Sequence, residues 1–187
     1  ICKNKKKIKW FFFSSTSHIY YFSNRKIKEN FKKSPISKYG KTKLLAERYI
    51  LKKLKTKGIN CCIGRIFSIV DNKNKTFFIN QLLSKLKTKK KTVSLKNLNH
   101  IRDFISTNQV STAIYKLWTK KCNETLNIAN GKKIYLKDLA LIYSKKLKKK
   151  ILFKDNKQTM LVADIKKMKK YGISQKNINF IRYLYKT

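Results

Sequence analysis

The sequence is short of acid. Eight Asp and Glu residues stand against 48 Lys and Arg, which gives the 187-residue chain a formal net charge of +40. It is equally short of arginine: Arg25, Arg48, Arg65, Arg102 and Arg182 are the full set. Phosphate and base recognition draw heavily on the guanidinium fork. A lysine excess spread along the whole chain therefore argues against selection for nucleic-acid binding, although nonspecific adhesion to polyanions at low salt follows from the charge. The favoured residues Lys, Asn, Ile, Phe and Tyr all have AT-rich codons, so the skew reads as genome composition. With five glycines and one proline, no GxxGxxG phosphate loop occurs. The four cysteines, Cys2, Cys61, Cys62 and Cys122, show neither CxxC nor Cys/His spacing. They read as reduced structural thiols with no metal bound. No apolar run approaches the roughly 18 to 20 residues of a membrane span; the longest, Trp10 to Phe13, reads as a buried strand. The start Ile1-Cys2-Lys3 carries no signal-peptide pattern and no initiator Met. The expectation is a cytoplasmic protein whose sequence begins inside a longer frame.

What is present is globular in kind, with 42% hydrophobic and 12% aromatic residues. Ile8 to Phe13 reads as a strand that runs into the hydroxyl cluster Ser14-Ser15-Thr16-Ser17. After a polar loop through Lys33, Pro35 and Ser37 introduce a helix over Lys38 to Lys57. Leu44, Leu45, Tyr49, Leu51 and Leu54 form its apolar stripe, and Gly58 its stop. Asn60 to Ile69 is a second β-favouring run. Strand, loop, helix, strand suits a parallel sheet with crossover helices. Beyond a lysine-rich surface loop at Lys85 to Lys91, strands are predicted at Thr92 to Leu95, Thr125 to Ile128 and Ile151 to Lys154. Helices are predicted at Asn108 to Lys120, Leu136 to Lys148, Ala163 to Lys170 and Ile178 to Tyr185.

The chemistry concentrates in Tyr39-Gly40-Lys41-Thr42-Lys43. A Tyr and a Lys four apart at a helix start share one face. An ammonium near a phenol favours the phenolate, which suits a general acid/base acting on a hydroxyl. Alone, YxxxK is a weak signal in a chain so rich in both residues. Its surroundings add to it: Ser14-Ser15-Thr16-Ser17-His18-Ile19-Tyr20 upstream, then Gly64-Arg65-Ile66-Phe67-Ser68, Ile101-Arg102-Asp103-Phe104-Ile105, Leu126-Asn127-Ile128-Ala129-Asn130-Gly131 and Val162-Ala163-Asp164-Ile165. His18 and His100 have no acid or cysteine at useful spacing and read as local hydrogen-bonders.

In order and spacing this series resembles the extended short-chain dehydrogenase/reductases, the NAD-dependent nucleotide-sugar epimerases and dehydratases. Their SSxxVYG, SPYGxSK, LRxFNxYG, RDFxxVxD, NIGxG and ADxxK signatures follow one another from Ile8 to Gly172. The resemblance implies an α/β fold: a partial Rossmann-type parallel sheet over residues 1–70 and a smaller α/β substrate domain over 71–187, with segments around 101–120 returning to the first. It implies catalysis by Thr16, Tyr39 and Lys43, with Ser15 and Ser17 as alternative hydroxyls to Thr16. The same three residues and Phe67 would bind NAD (or, as the lesser alternative, NADP). Ser68 and Arg102 would contact the nucleotide-sugar substrate, and the alternative for Arg102 is an ion pair with a nearby acid. A homodimer through the YxxxK helix is also implied.

The departures narrow this reading. Ser17 and His18 stand where a 4,6-dehydratase carries an Asp-Glu pair, which argues against water elimination. Ser68 replaces a substrate-binding asparagine, and Asn108 and Gln109 replace an acidic pair. The family's glycine loop would lie in about a hundred further residues before Ile1. The resulting expectation is a nucleotide-sugar epimerase, inactive as this fragment. The alternatives are a reductase or dehydrogenase of the same family, or a noncatalytic remnant that adheres to polyanions.

Overall fold

A computed structural model describes residues 8–154, 157–174 and 177–184. Cys2 and the last residue of the expected helix at 178–185 lie outside them. Strand β1 (Trp10–Thr16) carries the aromatic run and continues through the hydroxyl cluster. A 3-10 turn over Ser17–Ile19 closes it, with Thr16 as its cap. Helix α1 (Lys38–Lys55) starts at Ser37, whose side chain accepts the Gly40 N–H. Beyond its end, Gly58 takes a positive φ of 62°, a conformation that costs glycine little.

The inward face of α1 is Gly40, Leu44, Glu47 and Leu54, positions near the 3.6-residue period. Leu45 and Tyr49, which read as part of the same stripe, are 64% and 65% exposed, and Leu51 is 40% exposed. The helix thus has a second, outward apolar face, because Leu45 and Tyr49 lie one position off the buried row.

The run 60–69 is two strands. β2 (Asn60–Ile66) pairs with β1 in parallel, Thr16 opposite Ile66. β3 (Ser68–Val70) leaves that sheet for another. A third strand, β7 (Thr125–Ile128), joins β2 in parallel, so this sheet has the order β1-β2-β7. Helix α3 (Thr107–Thr119) packs on β1 and β2. The first lobe thus draws on chain from both sides of residue 70. One edge of β1 has no partner strand among the described residues.

The second lobe is built from short pieces. Helix α2 (Phe78–Leu86), which ends inside the lysine tract, buries Ile79, Leu82, Leu83 and Leu86. Strand β4 (Thr92–Lys96) pairs with β9 (Lys150–Lys154). β5 (His100–Arg102) lies between β8 (Ile134–Tyr135) and β10 (Thr159–Leu161). β6 (Phe104–Ser106) pairs with β3, and α4 (Leu136–Lys146) covers the lobe's core. The helix expected from Ala163 is only α5 (Lys166–Lys170), because Ala163 bridges to Ile27 as extended chain. The last expected helix is a 3-10 stretch over Phe180–Leu184.

Candidate active site

β1 and β2 end side by side, and the chain leaves both in the same direction. The C-terminal ends of parallel strands are where open α/β sheets place their ligands. Here they open into a cleft of about 240 Å³ lined by Ser14 to His18, Tyr39, Ile66 to Ile69 and Phe77. Thr16 lies at its floor, 6% exposed, and its Oγ1 accepts the His18 N–H at 3.3 Å. Among the described residues no acceptor takes the Thr16 proton. Tyr39 stands over the cleft from the first turn of α1 and is 54% exposed. Its nearness depends on Gly40, because a Cβ there would strike the His18 carbonyl and press on Pro35.

Lys43 lies one turn further along α1. Its ammonium donates to the Ser14 carbonyl at 2.9 Å, 5.0 Å from the Phe13 ring centroid and 5.9 Å from that of Tyr39. Lys43 thus sits at the margin of the cleft rather than in its lining. Phe67 and Ser68 line the wall opposite Thr16. Phe67 is buried, with its N–H on the Ile128 carbonyl, and the Ser68 N–H goes to Asp103 O. These two bonds draw the chain from one sheet to the other at that point.

Arg102 is not in this cleft. It lines an adjoining one of about 300 Å³, with Tyr20, Phe22 and Leu161, and the two clefts meet at His18 and Ser68. Its guanidinium donates to Ile101 O, Thr159 O and Thr159 Oγ1 at 2.9 to 3.1 Å. Three of the five guanidinium donors are therefore taken. Among the described residues no carboxylate pairs with it, so the ion-pair alternative does not hold there. Burial lowers its pKa to about 10, the expected response of a cation with little solvent and no counter-charge.

Ser15, one of the alternative hydroxyls, has another task. It is 3% exposed and donates to Glu47 Oε1. Glu47 receives Arg65 through both oxygens, at 3.0 and 2.8 Å. Arg65 reaches on to the Tyr20 hydroxyl, which donates to Asn127 Oδ1. Burial pushes the Tyr20 phenol up to about 12, so it stays neutral within the network. Ser17 is buried in the cleft wall. The signal for this network is a carboxylate on the inward face of α1 and an arginine inside an apolar strand, two charges that burial obliges to pair.

A second buried anchor, Asp103, accepts N–H bonds from Asn130, Gly131 and Ala163 at 2.8 to 3.1 Å. It ties two chain segments, at 130–131 and at 163, to the residue next to Arg102. Burial outweighs those bonds and pushes its carboxyl up to about 6. The His100 ring contacts Thr159 Oγ1 at 2.9 Å, a bond to its cross-strand partner on β10. The described cysteines are buried and unpaired by disulfide. Among the described residues there is no metal-ligand cluster, and no helix is long and apolar enough to cross a membrane.

A parallel sheet that ends in a cleft, with Thr16 on β1 and Tyr39 and Lys43 on α1 beside it, suggests a class of protein, and comparison with known proteins places the chain in a family. The family model described as GDP-mannose 4,6 dehydratase matches residues 1–182. The chain belongs to that family, among the NAD-dependent epimerases and dehydratases of the extended short-chain dehydrogenase/reductases. A curated relative, GDP-6-deoxy-D-talose 4-dehydrogenase of Aggregatibacter actinomycetemcomitans, is 33% identical over 120 residues, 63% of this chain and 40% of that protein. UDP-N-acetylglucosamine 4-epimerase from Methanobrevibacter ruminantium M1, solved with UDP-N-acetylmuramic acid, is 25% identical with a TM-score of 0.80, over all of this chain and 63% of its own. UDP-glucuronic acid 4-epimerase from Bacillus cereus, solved with UDP-glucuronic acid and NAD, shares the fold at 20% identity and a TM-score of 0.83, over 98% of this chain and 62% of its own. The chain thus spans less than two thirds of the length of each.

Proposed function

We propose that this protein is an NAD-dependent nucleotide-sugar epimerase that works through a transient keto-sugar. The observation that carries the reading is one cleft at the strand ends that holds the Thr16 hydroxyl and the Tyr39 phenol, with the Lys43 ammonium at its margin. Tyr39 takes the proton of the sugar hydroxyl and later returns it, and Thr16 hydrogen-bonds the same oxygen. Lys43, now bonded to Ser14 O, would hold the nicotinamide ribose, and Phe67 would line the site for the ring. These groups fit the nicotinamide end of NAD, which when bound accepts a hydride from the sugar carbon and gives it back. Ser68 contacts the sugar. Arg102, with donors to spare and no counter-charge, holds the diphosphate. Two copies meet through the outward Leu45 and Tyr49 face of α1.

A second reading, oxidation or reduction at the same carbon, is favoured by the GDP-6-deoxy-D-talose 4-dehydrogenase relative. One experiment separates the two. The full-length protein is incubated with UDP-glucose or GDP-mannose and an amount of NAD equal to that of the sugar, and products are followed by NMR. A new stereoisomer with no net NADH supports the epimerase, and NADH formed in step with a keto-sugar supports the dehydrogenase. No reaction with either sugar, nor with their 4-epimers or 4-keto forms, would refute both.

A further inference from the structure

The two clefts differ in what they offer. The Thr16 and Tyr39 cleft presents hydroxyls, and the neighbouring one presents a guanidinium with two N–H donors left over. A ligand that places a hydroxyl on Tyr39 and an anion on Arg102 has to cross where the clefts join, and the residues common to both are His18 and Ser68. His18 is exposed there at the head of the 3-10 turn. Its ring meets Tyr39 edge-on, centroids 6.0 Å apart and planes at 75°. Among the described residues neither ring nitrogen has a hydrogen-bond partner. Desolvation in the cleft, and then the Arg102 charge, lower its pKa. This favours the neutral imidazole, which offers one donor and one acceptor.

We propose that His18 reads the sugar: its two open nitrogens hydrogen-bond hydroxyls of the hexose beside the reacting carbon and hold the ring between Tyr39 and the anion on Arg102. The inference rests on the nucleotide-sugar reading and deepens it to a substrate class, hexoses that keep a hydroxyl on the face turned to His18. A site built to hydrogen-bond a hydroxyl discriminates against the analogue that lacks it. His18 is thus a substrate-positioning residue, distinct from the Tyr39 proton transfer.

The test is calorimetric titration of the full-length protein and of His18→Phe and His18→Gln, with GDP-mannose, UDP-glucose, GDP and UDP. His18→Phe keeps a ring beside Tyr39 and removes both nitrogens, and thermal unfolding checks that each variant is folded. The expected result is a loss of about tenfold or more in affinity for the nucleotide sugar that the unaltered protein binds. Affinity for the matching nucleoside diphosphate should stay unchanged, and His18→Gln should recover part of the loss. KM should rise with a smaller change in kcat. An equal loss for the sugar and the bare diphosphate, or no loss at all, overturns the inference while leaving the nucleotide-sugar reading in place. If the unaltered protein binds neither nucleotide sugar, that reading fails and the inference fails with it.

Discussion

Two polar clusters that share β1 and α1 lie next to each other in this protein. Behind β1, Ser15, Glu47, Arg65, Tyr20 and Asn127 form a closed network linked by hydrogen bonds. In front of it, Thr16, Tyr39 and His18 face a cleft with bonding capacity left over. Nearby residues are divided between them: Ser15 against Thr16 on the strand, Glu47 against Tyr39 on the helix. What separates the two clusters is satisfaction, not polarity. Buried groups that bond one another hold the fold rigid, and groups with a free valence at a solvent opening can meet a ligand.

Substitutions should expose this division, and the largest effect is expected on the closed side. Glu47→Ala leaves Arg65 buried without its counter-charge, with an expected loss of about 3 to 5 kcal/mol of stability. Urea unfolding measures it, and Glu47→Leu combined with Arg65→Met should recover a large part. On the open side, Tyr39→Phe should lower turnover by about 100-fold or more with stability unchanged within about 0.5 kcal/mol. If instead Tyr39→Phe destabilised the fold and Glu47→Ala did not, the division would be drawn in the wrong place.

Asp103 sharpens the comparison because it is buried yet titratable. Asn in its place would turn a donor toward backbone N–H groups, at a cost of about 1 to 3 kcal/mol. Its folded pKa, about 6, lies above the ordinary 3.8, so the folded state holds its proton more tightly than the unfolded chain. Its contribution is therefore fully present below about 3.8 and is lost as pH rises through about 6. Urea midpoints of the unaltered protein and Asp103→Asn at several pH values should show that component vanish in the variant. The smallest effect on stability is expected at the outward face of α1: Leu45→Glu should change it by less than about 0.5 kcal/mol, while analytical ultracentrifugation should show the proposed dimer weakened.

Much of the first lobe was legible in the sequence, because its signals are local. α1 announces itself through Ser37, its periodic leucines and Gly58, and the short apolar strands through their β-branched runs. Helix α2 (Phe78–Leu86) was not expected: Ile79, Leu82, Leu83 and Leu86 have helical spacing, but the stretch is short and runs into the lysine tract that reads as a surface loop. The split of 60–69 was not readable, since β2 and β3 are one continuous apolar run. Only the partners of Phe67 and Ser68, Ile128 and Asp103, show that the run changes sheets.

By itself the sequence determined which groups could do chemistry and roughly where they fall. The tyrosine and lysine four apart, the hydroxyl cluster at a strand end and the scarce arginines are properties of spacing and type. Tertiary structure alone decided which of them are free to act. Ser15 and Thr16 are neighbours with similar hydroxyls, yet one is turned to Glu47 and the other to the cleft. Arg65 and Arg102 are both largely withdrawn from water, yet one is paired and the other lacks a counter-charge. His18 reads in sequence as a local hydrogen-bonder and becomes the junction of two clefts only when β5 and Arg102 are brought beside it. The physical reason is the same in each case: a polar group's reactivity depends on the partners that folding supplies, and those partners lie far away along the chain.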